Sequence, residues 1–443
     1  MLWPVTAQRS SDGALHVGKL SLAALAAEYG TPLYVYDVAT IRAQCRRYRK
    51  ALTAAYAQSR VVYAGKAGLS LALLAIIAEE GLALDVVSGG ELFMALHAGF
   101  PPERIAFHGN NKSPAELRMA LDAGIREIII DNHDELDILA ELTAGRLHAQ
   151  DVMLRLNPGI DVHTHHYRKT GLVDSKFGLG ASNGDAERAV ARIQELPGLH
   201  LRGYHAHVGS QIFDIDPFAD TVDALFEFAA RMRDRFGIVP DEISPGGGLA
   251  IPYEARDADS DSEAYATVLG RATHAAAERH DLPDPVLTIE PGRSIVGRAG
   301  VAVYTLGARK AIPNVRTYVS VDGGMADNIR PALYGAAYTA ELVARPSVGV
   351  LEPVTIAGKY CESGDVLIER VALPPFERGA LLAVPAAGAY CLAMASNYNL
   401  ALRPAVVFVE DGVATLAQRR ETFEDLLVRE LPASTSASAQ TGQ

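Results

Sequence analysis

The stretch RVVYAGKAGLS, residues 60–70, decides how the rest of the sequence is read. Val61, Val62, Tyr63 and Ala64 are β-prone or apolar, and together they read as a buried strand. Gly65 breaks the run, and Lys66 then sets an ammonium group at the strand end between two small residues. Alone, such a lysine marks only the return of the chain to solvent. The pattern on either side of it argues for more.

From residue 60 to residue 293, short β-rich runs alternate with longer stretches of helical period. The predicted strands are RVVYA, ALDVVS, RIAFH, EIIID, VMLRLNP, LRGYHAHVG, EISPGGG and VLTIEPGR. Helix-like segments such as LALLAIIAEEG, GELFMALHAG, PAELRMALDAG and TVDALFEFAARMRDRFG lie between them, and each of these ends in the glycine that helix C-termini favour. Strands that alternate with helices in this number predict an α/β fold, a (β/α)8 barrel of the TIM type. An open doubly wound sheet rarely needs so many units.

After residue 297 the texture changes. AGVAVYTLGARK, VRTYVSVDGG, PVTIAG, RGALLAVPAAGAY and AVVFVEDGVATLAQ are strand-like runs separated by glycine and proline turns, and ETFEDLLVRE is the first strong amphipathic-helix signal among them. The expected organisation is a barrel over 40–297, a mostly β domain from 1–39 and 298–431, and a disordered tail over 432–443, where PASTSASAQTGQ is small and polar. LYVYD, before residue 40, is expected to lend the β domain a strand.

A chain of 443 residues is too long for one ordinary core, and 49% hydrophobic with 21% charged residues is a globular composition. A net charge of −12 with no basic run argues against nucleic acid as a partner. LALLAIIA is interrupted at Glu79 and Glu80, so no apolar stretch reaches membrane-span length, and no signal peptide is read at the N-terminus. Cys45, Cys361 and Cys391 form no disulfide framework and suit a reducing cytoplasm.

Chemistry in such a barrel sits at the C-terminal ends of the strands. Lys66 ends strand one, His207 ends strand six, Gly246, Gly247 and Gly248 end strand seven, and Glu290 with Arg293 follows strand eight. Consecutive glycines let backbone N–H groups approach an anion, and this is where barrel enzymes commonly bind phosphate. A lysine amine condenses with an aldehyde. Pyridoxal phosphate carries both an aldehyde and a phosphate, and Glu290 suits its ring nitrogen as an acidic partner. His163, His165 and His166 in HTHHY, and the pair His205 and His207, invite a metal reading. The pair lies on strand six with no Asp or further His at the ends of strands seven or eight, so no metal is expected. The histidines at 163–166 are expected in the loop after strand five.

The motifs YAGKA, DVVSGGEL, FHGNNKS, RLNPGID, TGLVDSKFG, HAHVGSQI, PGGGLAIPY, EPGRSIV, VDGGMADNIRPALY, CESGD and AGAY followed by SNYN occur in this order between about residue 30 and residue 410. In this order they resemble the diaminopimelate decarboxylases, which belong to the alanine-racemase-fold class of pyridoxal-phosphate enzymes. The resemblance implies Lys66 as the cofactor lysine, with His207 stacked on the pyridine ring. It implies Ser210, Gly247 and Gly248 around the phosphate, helped by Gly292 and Tyr390, and Glu290 at the ring nitrogen. Arg293, Arg330 and Tyr334 would grip the retained substrate carboxylate, and Glu362 would read the distal amino group. Cys361, supplied by the other subunit of a homodimer, would protonate Cα after carbon dioxide leaves. The implied reaction turns meso-2,6-diaminopimelate into L-lysine and carbon dioxide. Lys359 and Tyr360 stand where the family more often has a Gly-Pro-x run, and Cys391 stands where a glycine is usual.

Two other readings remain open on the residues alone. One is a decarboxylase of the same class acting on ornithine, arginine or carboxynorspermidine, for which a second carboxylate grip has less use. The other is a non-catalytic pyridoxal-phosphate-binding protein, which needs neither Cys361 nor Glu362.

Borohydride reduction of the yellow protein is expected to fix the cofactor covalently on the peptide that contains Lys66. Mass spectrometry that finds the adduct on Lys176 instead would overturn the assignment.

Overall fold

In β1 (Ser59–Ala64), Val61 to Ala64 are all buried, as expected of a strand with helices outside and side chains inside. Parallel strands follow at β2 (Ala83–Val86), β3 (Ile105–Phe107), β4 (Glu127–Ile130) and β5 (Gln150–Asn157). β6 (Leu199–Ala206), β7 (Glu242–Ser244) and β8 (Val286–Ile289) complete the set. Each strand pairs in parallel with the next, and β8 pairs with β1 to close the sheet into the expected (β/α)8 barrel.

This computed structural model describes residues 2–159, 175–345 and 349–431. Two compact units form. The barrel unit takes Met1–Val5, Val38–Gly300 and Ala386–Ala393, and the β unit takes Thr6–Asp37, Val301–Pro385 and the chain from Met394 onward. His163, His165, His166 and the tail at 432–443 lie outside the described residues.

Short polar residues start the barrel helices. Ser70, Ser88, Ser113 and Asn132 each accept a hydrogen bond from a backbone N–H in the first turn of the helix that follows. Ser113 and Glu116 form a full capping box ahead of the helix Pro114–Ala123, which Gly124 ends at φ 65°. The helices Val38–Ala55 and Ser262–Arg279 pack against each other outside the barrel.

The lower end of the barrel is closed by charge. Glu242, fully buried at the start of β7, accepts from Arg60 at 2.9 Å, from Arg126 and from Thr288. Burial, followed by the neighbouring Glu242, pushes the Glu127 carboxyl up to about 7. This cluster lies at the strand N-termini, the end of a barrel that serves stability.

In the β unit the sheet order is Val366–Leu373, Glu352–Ala357, Arg316–Val321, Gly300–Ile312, Leu33–Asp37, Ala405–Glu410 and Val413–Gln418. LYVYD lends its strand as expected, parallel to Ala405–Glu410. ETFEDLLVRE does not form the expected helix. Only a single 3-10 turn, Asp425–Leu427, is present. Phe423, Leu427 and Val428 stay exposed, so no buried face offsets the cost of nucleating a helix, and Pro432 follows closely. Among the described residues, no helix is long and apolar enough to cross a membrane.

Gly203 sits where the register between β5 and β6 shifts, and a Cβ there would stand 1.7 Å from the carbonyl oxygen of Glu242. Gly203→Ala is therefore expected to destabilise the barrel at the upper end of the ~1–3 kcal/mol usual for overpacked cores. The measurement is the apparent melting temperature by circular dichroism, which should fall by several degrees.

Candidate active site

Four strand ends of the barrel unit carry polar groups at the rim, three of them the expected Lys66, His207 and Glu290. Lys66 follows β1 in a 3-10 turn, Gly65–Ala67, and is half-buried. His205 lies within β6 and His207 just beyond it, two residues apart and so on one face of the strand. Ser244 ends β7, and Glu290 follows β8.

Glu290 is the most constrained of these groups. His205 donates from Nε2 to Glu290 Oε2 at 3.1 Å, and Ser244 donates to Oε1 at 3.0 Å. His108, the residue after β3, brings its Nε2 to 3.6 Å from Oε1. Burial by itself would raise this carboxyl. The surrounding histidines, His205 first, reverse that and hold it well below the ordinary carboxylate range. Burial also drives His108 and His207 well below the usual histidine value, so both are neutral imidazoles at neutral pH. Asp85, on β2, is pushed up to about 8 by burial, with Glu290 adding to the shift and Lys66 opposing it.

The other side of the rim is cationic. Arg293 is buried, donates to Tyr253 at 2.7 Å and to Ser210 at 2.8 Å, and lies over the ring of Tyr390 at 4.6 Å. Its Nε has no hydrogen-bond partner among the described residues. Tyr390 arrives late in the chain at φ 62°, with its N–H bonded to Ala67 O at 2.7 Å. Gly388 makes that docking possible, because a Cβ there would stand 2.0 Å from Val296 O.

These residues fit pyridoxal phosphate. A Cβ at Gly247 would stand 2.0 Å from Glu290 O, so only glycine lets the loop after β7 lie against β8. A phosphate suits the glycine loop and the unpartnered nitrogen of Arg293, and an ionised buried carboxylate suits a protonated ring nitrogen.

Gly248 and Gly292 lie in the barrel unit, and the remaining expected residues belong to the β unit. Arg330 is 2% exposed and donates to the Tyr338 hydroxyl. Tyr334 closes the same short helix, Arg330–Tyr334. Cys361 and Glu362 are exposed, and the Cys361 N–H donates to Asn399 Oδ1 at 3.2 Å. Cys361 lines a cavity of about 450 Å³ together with Tyr360, Leu400 and Phe423. The loop that carries it is gathered by Asp365, which accepts from Tyr360 N at 2.8 Å and from Met325 N at 2.7 Å.

Sequence reasoning missed Asp85, His108, Ser244, Tyr253 and Asp365. All lie inside motifs it had already noted: DVVSGGEL, FHGNNKS, EISPGGG, PGGGLAIPY and CESGD. Asking which residue ends each strand would have found His108 and Ser244. Asp85 and Asp365 carry no such signal.

A family model described as the pyridoxal-binding domain of the pyridoxal-dependent decarboxylases matches residues 38–297, more than half of the chain, and this places the barrel in that class. Diaminopimelate decarboxylase of Bacillus subtilis is 46% identical over 97% of this chain and 98% of its own length. The enzyme of the same description from Synechocystis is 45% identical over 96% and 92%. The crystal structure of diaminopimelate decarboxylase from M. jannaschii in complex with L-lysine superposes with a TM-score of 0.91 at 33% identity, covering 98% of this chain and 99% of that one. The chain belongs to the diaminopimelate decarboxylase family.

Removing the Asp365 side chain frees one backbone donor of the Cys361 loop, Tyr360 N, and one of the loop it is tied to, Met325 N. Asp365→Ala is expected to lower kcat, by up to roughly a hundredfold if the loop shifts by an ångström. Cofactor content, read from the visible absorbance, should stay at the wild-type level.

Proposed function

We propose that this chain decarboxylates meso-2,6-diaminopimelate to L-lysine and carbon dioxide with pyridoxal phosphate, as a cytoplasmic homodimer. The observation that carries the reading is a strand-end lysine in the same closed barrel as a buried, ionised carboxylate, Glu290, held by donors from two strands. That geometry occurs in a chain with diaminopimelate decarboxylases as full-length relatives.

Bound pyridoxal phosphate would supply an aldehyde for the substrate amine and a ring that takes up the electron pair left on Cα when carbon dioxide departs. Lys66 would hold the cofactor, Ser210, Gly247, Gly248, Gly292 and Tyr390 would hold its phosphate together with Arg293, and His207 would be its neutral ring partner. Glu290 keeps a proton at the ring nitrogen. Arg293 and Arg330 offer planar forks to the retained carboxylate together with Tyr334, and Glu362 offers an anion to the distal ammonium. The bond from Cα to its carboxylate breaks, carbon dioxide departs, and the Cys361 thiol gives Cα its proton. A general acid of this kind contributes ~10²–10⁴-fold.

Supply of Cys361 by the second subunit is supported by its exposure and by Leu400, Phe423, Leu427, Val428 and Leu431, which leave apolar surface uncovered on the β unit. Its three free cysteines suit a reducing compartment.

Among amino acids offered to the enzyme, carbon dioxide release should be fastest from meso-2,6-diaminopimelate, and Arg330→Ala should lower kcat/KM for it by at least roughly tenfold. A wild-type preference for ornithine would overturn the substrate. Lys66→Ala and Cys361→Ala should each be nearly inactive. Mixed at equal amounts with proven subunit exchange, they should recover roughly a quarter of wild-type activity, because half the dimers then carry one intact site. Mixtures that stay inactive would place both residues in one subunit's site.

A further inference from the structure

We infer that His205, seconded by His108, is the positioning residue that keeps Glu290 a carboxylate and aims it at the ring nitrogen of the cofactor. This rests on the reading of Glu290 given above.

The interior of a (β/α)8 barrel is normally filled by Val, Ile and Leu. His205 stands in that interior at 1% exposure, one pleat below His207 on the same face of β6. A carboxylate can only accept, so the 3.1 Å contact to Glu290 requires the proton of His205 to sit on Nε2. Its Nδ1 is buried and has no hydrogen-bond partner among the described residues. An unpaired buried nitrogen costs free energy. The hydrogen bond to Glu290 is what offsets that cost.

His108 repeats the arrangement from another strand. Its ring meets His205 edge to face at 4.9 Å, and its Nε2 lies 3.6 Å from Glu290 Oε1 and 4.0 Å from Asp85 Oδ1. A ring nitrogen of His108, a ring nitrogen of His205 and a carboxylate oxygen of Glu290 lie within 4.8 Å of one another. With Ser244 on Oε1, both Glu290 oxygens are held, one from β6 and one from β7, and acceptor positions remain for one further donor. A buried carboxyl stripped of such donors takes up a proton itself, and it can then no longer stabilise a proton on the ring.

The test uses holoenzyme reconstituted with pyridoxal phosphate carrying nitrogen-15 in the ring, whose chemical shift reports whether that nitrogen is protonated. Wild type should show the protonated signal. His205→Leu should move it toward the unprotonated position and lower kcat by roughly 10–100-fold with KM little changed, the usual size of an effect transmitted through one residue. His205→Gln, whose amide nitrogen reaches about as far as Nε2, should recover most of both. His205→Asn, which reaches only as far as Nδ1, should not. His108→Leu should shift the signal less than His205→Leu.

A wild-type ring signal in His205→Leu would overturn the inference. Should that variant not fold, a wild-type signal in both His205→Gln and His205→Asn would overturn it as well. Glu290→Gln separates the two levels of the argument. Loss of the protonated signal there, without loss in the His205 variants, removes only the role of His205. Persistence of the signal in Glu290→Gln removes the reading of Glu290 itself.

Discussion

The pairing of β8 with β1 is the constraint on which the site depends. Leu287, Thr288 and Ile289 lie in register with Ser59, Arg60 and Val61, and this turns a row of eight parallel strands into a ring. Closure brings the two ends of the barrel sequence together. Ala64 N donates to Pro291 O at 3.2 Å, and a Cβ at Gly292 would stand 3.0 Å from Ala64 and from Ala67. The lysine after β1 and the carboxylate after β8 thus belong to neighbouring strands, although most of the barrel separates them in sequence. An open sheet of the same strands would leave them at opposite edges.

Once the ring is closed, its interior must take charges that a hydrophobic core would reject. The structure meets this by pairing them. Lys112 is buried, yet its ammonium donates to Gly109 O at 2.7 Å and Ile129 O at 2.9 Å and lies 2.8 Å from Glu135. Arg155 lies 3.7 Å from Asp131 and stacks over Phe177 at 4.4 Å. Such pairs are weak evidence for stability, because desolvation cancels much of the attraction. Their effect is to fix side chains in one arrangement around the rim, as His205 and Ser244 do for Glu290.

Much of this was legible in the residues. The alternation of strand and helix signals located all eight barrel strands, because a parallel barrel buries short continuous apolar runs that stand out from amphipathic helices. The β-unit strand LYVYD was legible for the same reason. ETFEDLLVRE misled because period alone cannot tell whether a tertiary partner exists to cover the apolar face, and here Phe423, Leu427 and Val428 have none within the β unit. The supporting residues were harder to find. Asp85, His108 and Asp365 have the residue types of ordinary strand and loop positions, and their burial and partners are set by segments far away in sequence.

The class of fold, the order of its motifs and the residue types at the strand ends are written in the chain locally, since each follows from short-range periodicity and from chemistry that only certain side chains supply. Tertiary structure alone decided which of those residues meet. It set Arg293 on Ser210, Tyr253 and Tyr390, and it set Glu290 among His108, His205 and Ser244. These contacts depend on barrel closure and strand register. A one-residue slip in register would turn His205 and His207 to the other face of their strand, and no local pattern in the chain records that choice.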